Sequence, residues 1–136
     1  MLLSSKSKKL KPVLQTLEYP EGNCFGACLA SILELSIDDV PNHHGFNWYN
    51  RYEEWLYRNF RCKPLYWEED ELPDFNLLAW WIAEVESPRN KDIKHSVVFY
   101  RNEFRWDPYP NASHQWKCSD TKSVIAIYSI SSILES

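Results

Sequence analysis

The 136-residue sequence has no long apolar run. Its longest, Leu77-Leu78-Ala79-Trp80-Trp81-Ile82-Ala83, is far short of the roughly 20 residues a membrane-spanning helix needs, so no membrane partner is expected. A basic excess is also missing. Fifteen Lys and Arg against 19 Asp and Glu leave a formal charge of −4, which disfavours nucleic acid as a partner, because a nonspecific binder needs a net basic footprint. The start of the chain places its apolar residues ahead of its lysines with no apolar region behind them, so no export signal is expected and the setting reads as cytoplasmic. Residues 1–12 read as a flexible basic tail. Glycine is scarce, at 3 residues, and no internal repeat is visible.

What the chain does have is aromatic side chains: 7 Trp, 8 Tyr and 6 Phe, enough to exclude intrinsic disorder. Residues 13–136 are expected to form one domain, burying roughly two-thirds of the surface of the unfolded chain without help from metal or crosslinks. Four cysteines, Cys24, Cys28, Cys62 and Cys118, are read as free thiols, because a reducing compartment does not sustain disulfides.

Periodicity predicts the elements. Val13 to Leu17 is a short extended run, ended by the turn Tyr19-Pro20-Glu21-Gly22. Asn23 through Leu35 reads as a helix, with Gly22 or Asn23 as its N-cap. Trp48 to Phe60 reads as an amphipathic helix, with Tyr52, Trp55, Leu56 and Phe60 on one face. Lys63 to Trp67 is a short strand, and Glu68 to Glu71 a solvated acidic turn. Leu77 to Val85 is read as a strand stopped by Ser87-Pro88-Arg89. His95 to Tyr100 and Phe104 to Asp107 form a hairpin, and Ser123 to Ile130 an interior strand. Helices followed by antiparallel strands make an α+β fold, with the helices on one side of the sheet.

Cys24 falls in the first turn of the first helix, where unpaired N–H groups and the positive end of the helix dipole favour a thiolate and face any oxyanion formed by its attack on a carbonyl. Nucleophilic catalysis further needs a base and a group to orient it. The hairpin offers His95 and Asp107, on a condition of register. A three-residue loop at 101–103 sets Val97 opposite Asp107 and puts His95 on the same face, whereas a two-residue loop sends His95 and Asp107 to opposite faces. An odd loop length or a bulge is therefore required.

The blocks Val13-Leu14-Gln15-Thr16, Asn23-Cys24-Phe25-Gly26-Ala27-Cys28-Leu29-Ala30-Ser31-Ile32, His95-Ser96-Val97-Val98-Phe99 and Asp107-Pro108 resemble the papain-like cysteine peptidase superfamily. Within it they are most similar to the peptidase domains that process double-glycine leaders of bacteriocins, and to their small bacterial and phage relatives. The resemblance implies a papain-like domain with its nucleophile helix and a second helix packed against an antiparallel sheet. It implies Cys24 as nucleophile, His95 as general base, Asp107 as orienting carboxylate and Gln15 as oxyanion-hole amide, with Asn23 or backbone amides as substitutes. No cofactor is implied, and the partner is a peptide or protein substrate. The pattern departs from the family in two places. Gln15 lies nine residues before Cys24 where the family has six, and Trp106 and Tyr109 flank Asp107-Pro108 where small relatives carry His.

Other residues have plainer readings. Cys28, one turn beyond Cys24, is read as a core thiol. A zinc site built on Cys24 and Cys28 lacks ligands at suitable spacing, since His43, His44 and His114 form no tetrad with them. The rival functional reading is a catalytically silent relative that uses the fold to bind a host or partner protein.

Overall fold

A computed structural model describes residues 10–17, 22–41 and 47–130. Tyr19, Pro20 and Glu21 of the expected turn, His43, His44 and most of the expected basic tail lie outside the described residues. Two helices, α1 (Cys24–Leu33) and α2 (Trp48–Phe60), pack on one antiparallel sheet of β1 (Cys62–Trp67), β2 (Trp80–Ser87), β3 (Asn90–Tyr100), β4 (Glu103–Trp106) and β5 (Ser123–Ser129). The fold is α+β.

The strands lie in the order β1-β5-β2-β3-β4. The largely apolar composition of β5 is explained by its place between β1 and β2, and β1 carries Pro64 because it is an edge strand, where a missing N–H donor is tolerated. Both faces of the sheet are covered at its centre, so Trp80, Trp81, Ile82 and Ala83, which point alternately to the two sides, are all at most 1% exposed. On one face Trp81 stacks on Phe99 at 4.6 Å and Phe75 stacks on Trp81 at 4.7 Å. The other face carries the helices. The rings of Phe25 in α1 and Tyr52 in α2 meet edge to face at 4.9 Å, which sets the helices side by side. A Cβ on Gly26 would stand 3.3 Å from Val40 Cγ2 and 3.5 Å from Tyr52 Oη, so this glycine permits the close approach.

Several expected boundaries move. The first helix stops at Leu33 rather than Leu35, because Glu34 turns left-handed at φ 61° and its N–H returns to the Ala30 carbonyl. β2 starts at Trp80 rather than Leu77, since Phe75–Leu77 forms a 3₁₀ turn opened by Asp74 Oδ1, which accepts from the Asn76 N–H at 3.0 Å. β3 begins at Asn90 rather than His95. Ser87 pairs with Asn90 around Pro88-Arg89, making a hairpin that the polar run Lys91-Asp92-Lys94 conceals in the sequence. The extended run at Val13–Leu17 joins no strand. It docks on α1 instead, with Ser31 Oγ accepting from the Val13 N–H at 3.0 Å and donating to the Ala27 carbonyl at 2.7 Å. Among the described residues, no helix is long and apolar enough to cross a membrane.

Candidate active site

The site is made by the end of β4. The β3–β4 loop has two residues, since Tyr100 pairs with Glu103 and Phe99 with Phe104. Continued unbroken, that register would set Asp107 across from Ser96, on the face away from His95. It is broken by a bulge: the next pair is Val98 with Trp106, leaving Arg105 as the extra residue. One step on, Asp107 faces Val97 and shares a side with His95. His95 Nε2 donates to Asp107 Oδ1 at 2.7 Å, with the two side chains 3% and 6% exposed. The required correction of register is present as a bulge, not as a three-residue loop.

Because β4 pairs β3 only as far as Val98, the outer edge of β3 beyond it keeps unspent N–H groups. The start of α1 fills this edge. The Cys24 sulfur lies beside the His95 ring, the Ser96 backbone N–H and the Ser96 side chain, which all act on its charge. With Nε2 of His95 given to Asp107, Nδ1 is the ring nitrogen left for Cys24. Two further donors reach Asp107: Trp116 Nε1 donates to Oδ2 at 2.9 Å and the Tyr109 N–H to Oδ1 at 2.9 Å. Tyr109 stands edge-on to the His95 ring at 6.4 Å, and the Arg89 guanidinium lies 3.4 Å over the Tyr109 ring.

These contacts set the charges. Burial works against ionisation of Cys24, but the hydrogen bond and charge of His95, with the Ser96 donors, outweigh it and hold the thiol below its ordinary range. Burial likewise opposes the imidazolium, yet the Asp107 and Cys24 bonds and charges raise His95 to about 9. Asp107 is pushed up by burial and down by more through His95, Trp116 and Tyr109, so it stays below the usual carboxylate range. The shifts favour a thiolate on Cys24, an imidazolium on His95 and a carboxylate on Asp107. Cys28 is the opposite case: fully buried, with Cys24 and Asp107 as negative neighbours, its thiol is raised well above the ordinary value.

The remaining expected site residues are close by and otherwise engaged. Gln15 is buried, and its backbone N–H donates to the Pro108 carbonyl at 2.9 Å, next to Asp107. Its Nε2 donates to the Leu17 carbonyl at 2.9 Å, and its Oε1 has no partner among the described residues. Asn23 Oδ1 accepts from the N–H groups of Thr16 and Leu17 at 2.9 and 3.0 Å, and Nδ2 donates to Thr16 Oγ1 at 2.9 Å. Asn23 therefore fastens the 13–17 segment to the head of α1. Its side chain caps none of the helix N–H groups, which leaves the first turn, including the N–H of Cys24, to face a bound oxyanion.

Trp106 and Tyr109, which flank Asp107 and Pro108, have structural work here. Trp106 Nε1 donates to the Val13 carbonyl at 2.9 Å and so ties the 10–17 segment to β4. The sequence reading missed Ser96 and Trp116. Ser96 was signalled by its place beside His95 on a strand, whereas Trp116 comes nine residues after Asp107 through a loop with no periodicity to reveal it. Among the described residues, no group of three or more His, Cys, Asp or Glu is placed to hold a metal ion. The chain matches no protein-family model, no curated protein and no solved structure.

Proposed function

We propose that the protein is a papain-like thiol hydrolase, a peptidase or isopeptidase, working in the cytoplasm through Cys24, His95 and Asp107. The observation that carries the reading is the ionic pairing of these groups: a half-buried thiol below its usual range, beside an imidazolium raised to about 9, on a buried carboxylate held by three donors. The resemblance of the Cys24, His95 and Asp107 blocks to the peptidases that process double-glycine leaders supports the same class.

The Cys24 thiolate attacks a carbonyl carbon, and the oxyanion draws on the N–H groups at the head of α1. The His95 imidazolium then gives its proton to the departing amine, leaving an acyl-enzyme and a neutral ring. A water molecule next adds to the thioester as His95 takes its proton, the C–S bond breaks, and the acid and the Cys24–His95 ion pair are regenerated. Asp107 keeps the ring oriented throughout. The substrate is a peptide or protein, and no cofactor takes part.

The experiment is digestion of a diverse peptide mixture by the wild type and by Cys24→Ala. Cleavage by the wild type with a thioester-linked mass on Cys24, both absent from Cys24→Ala, is the expected result. One observation favours a second reading, a catalytically silent protein that binds a host or partner protein: the Gln15 amide expected in the oxyanion hole is bonded to the Leu17 carbonyl. Partner capture equal in wild type and Cys24→Ala, with no cleavage and no thioester in either, decides for that reading.

A further inference from the structure

We propose that an aromatic cleft beside Cys24 is a substrate side-chain pocket, which selects a peptide carrying a bulky apolar side chain next to the attacked bond. The proposal rests on the thiol-hydrolase reading and names its substrate class. The cleft has a volume of about 570 Å³ and is lined by Trp48, Tyr49, Tyr66, Glu84, Lys94 and Ile125. It forms where α2 lays Trp48 and Tyr49 over one face of the sheet. Tyr66 pairs with Ile125 and Ile125 with Ile82, so Tyr66 and Ile125 share that face, with the almost fully buried Ile125 as floor. The Glu84 carboxylate is held by Ser123 Oγ, so rings dominate what a ligand meets.

Two connections join the cleft to the thiol. Glu84 lies directly across from Ser96, which adjoins the Cys24 sulfur, and Lys94 lies two residues before Ser96 on the same face. A two-residue step along a strand is roughly 6.6 Å. From the other side, the Trp48 ring meets Phe25, the residue after Cys24, at 5.8 Å. The cleft thus borders residues that adjoin Cys24 from two sides. Its volume falls in the roughly 300–1,000 Å³ range of pockets that hold small ligands, far more room than a glycine at the cleavage point requires.

Two measurements test this. The first compares alkylation of Cys24 by iodoacetyl-phenylalanine amide and iodoacetyl-glycine amide, which carry the same warhead: the thiolate displaces iodide and one C–S bond replaces one C–I bond. The phenylalanine reagent is expected to react about tenfold faster, the gain from burying roughly 60 Å² of apolar surface. Tyr66→Ala, at a residue already 44% exposed, is expected to bring the ratio towards one. The second is independent of the thiol: N-acetyl-phenylalanine amide is titrated into Cys24→Ser and followed by amide NMR. Shifts at Tyr49, Tyr66 and Lys94 that N-acetyl-glycine amide does not cause support the pocket. Absence of those shifts overturns it, and so does a rate ratio of one in the wild type. A Cys24 that plain iodoacetamide does not prefer over the other cysteines refutes the thiol-hydrolase reading instead, and the titration still decides the cleft.

Discussion

Replacing Asp107 by asparagine keeps the size of the side chain and removes its charge. Three donors surround the carboxylate: His95 Nε2 at 2.7 Å, Trp116 Nε1 at 2.9 Å and the Tyr109 N–H at 2.9 Å. An amide has one acceptor oxygen, so its NH₂ must confront at least one of these donors, at roughly 1–3 kcal/mol of stability. The larger effect is electrostatic. His95 stands at about 9 against an ordinary 6.5, which amounts to about 3 kcal/mol in favour of the imidazolium, supplied jointly by Asp107 and Cys24. Without the carboxylate, burial is opposed by Cys24 alone, His95 falls towards its ordinary value, and the thiol loses its cation near neutral pH. The expected results are a His95 Cε1–H resonance titrating near 9 in the wild type and well below that in Asp107→Asn. The midpoint for iodoacetamide alkylation of Cys24 moves up towards the ordinary thiol range, and peptide turnover falls roughly 10²–10⁴-fold. A wild-type His95 that titrates near 6.5, or midpoints that do not move in a folded variant, would refute the reasoning.

Deleting Arg105 removes the bulge but leaves Trp106 opposite Val98 and Asp107 opposite Val97, so the His95–Asp107 bond and the preferential alkylation of Cys24 near neutral pH should persist, and loss of that preference in a folded variant would contradict the register. Trp116→Phe strips the donor from Asp107 Oδ2. It should lower the urea midpoint by the equivalent of roughly 1–3 kcal/mol and weaken turnover, with the Cys24 alkylation midpoint rising as Asp107 becomes less firmly ionised. Asn23→Ala frees the 13–17 segment from α1, which should show as proteolytic nicking within residues 13–22 before the sheet unfolds. In Cys24→Ser, where no thiol titrates in the opposite sense, His95 binds its proton more tightly folded than unfolded. Its contribution is then complete below pH 6.5 and is lost as pH rises through the folded value, so urea midpoints should decline above pH 6.5, and a midpoint that rises there contradicts the assignment.

The elements whose burial is one-sided or uniform were legible. Tyr52 and Leu56 recur at helical spacing against Arg51, Glu54 and Arg58, and α2 forms over the expected Trp48–Phe60. Ser123 to Ser129 is apolar at nearly every position because both of its neighbours and both of its faces are covered. The Pro88-Arg89 hairpin was hidden because the exposed outer half of β3 carries charges instead of an alternating pattern. The site was legible as chemistry but not as geometry. Cys24 at a helix start, with His95 and Asp107 on one hairpin, could be named from residue types and spacing. Whether the last two meet depends on one extra residue in Phe104-Arg105-Trp106, and no residue type there marks which one lacks a cross-strand partner. Gln15 and Asn23 show the converse: correct chemistry for an oxyanion hole, with their amide nitrogens engaged by Leu17 and Thr16.

The central claim is that Cys24 is ionised by His95 and set apart from the other three cysteines. Native protein treated with limiting iodoacetamide at pH 6.5 and mapped by mass spectrometry tests it most directly. Cys28, Cys62 and Cys118 are all raised by burial, Cys28 the most, so carbamidomethylation should be found on Cys24 well before any of them, and the preference should vanish in His95→Ala. Equal labelling of the four cysteines, or faster labelling of Cys118, would contradict the account.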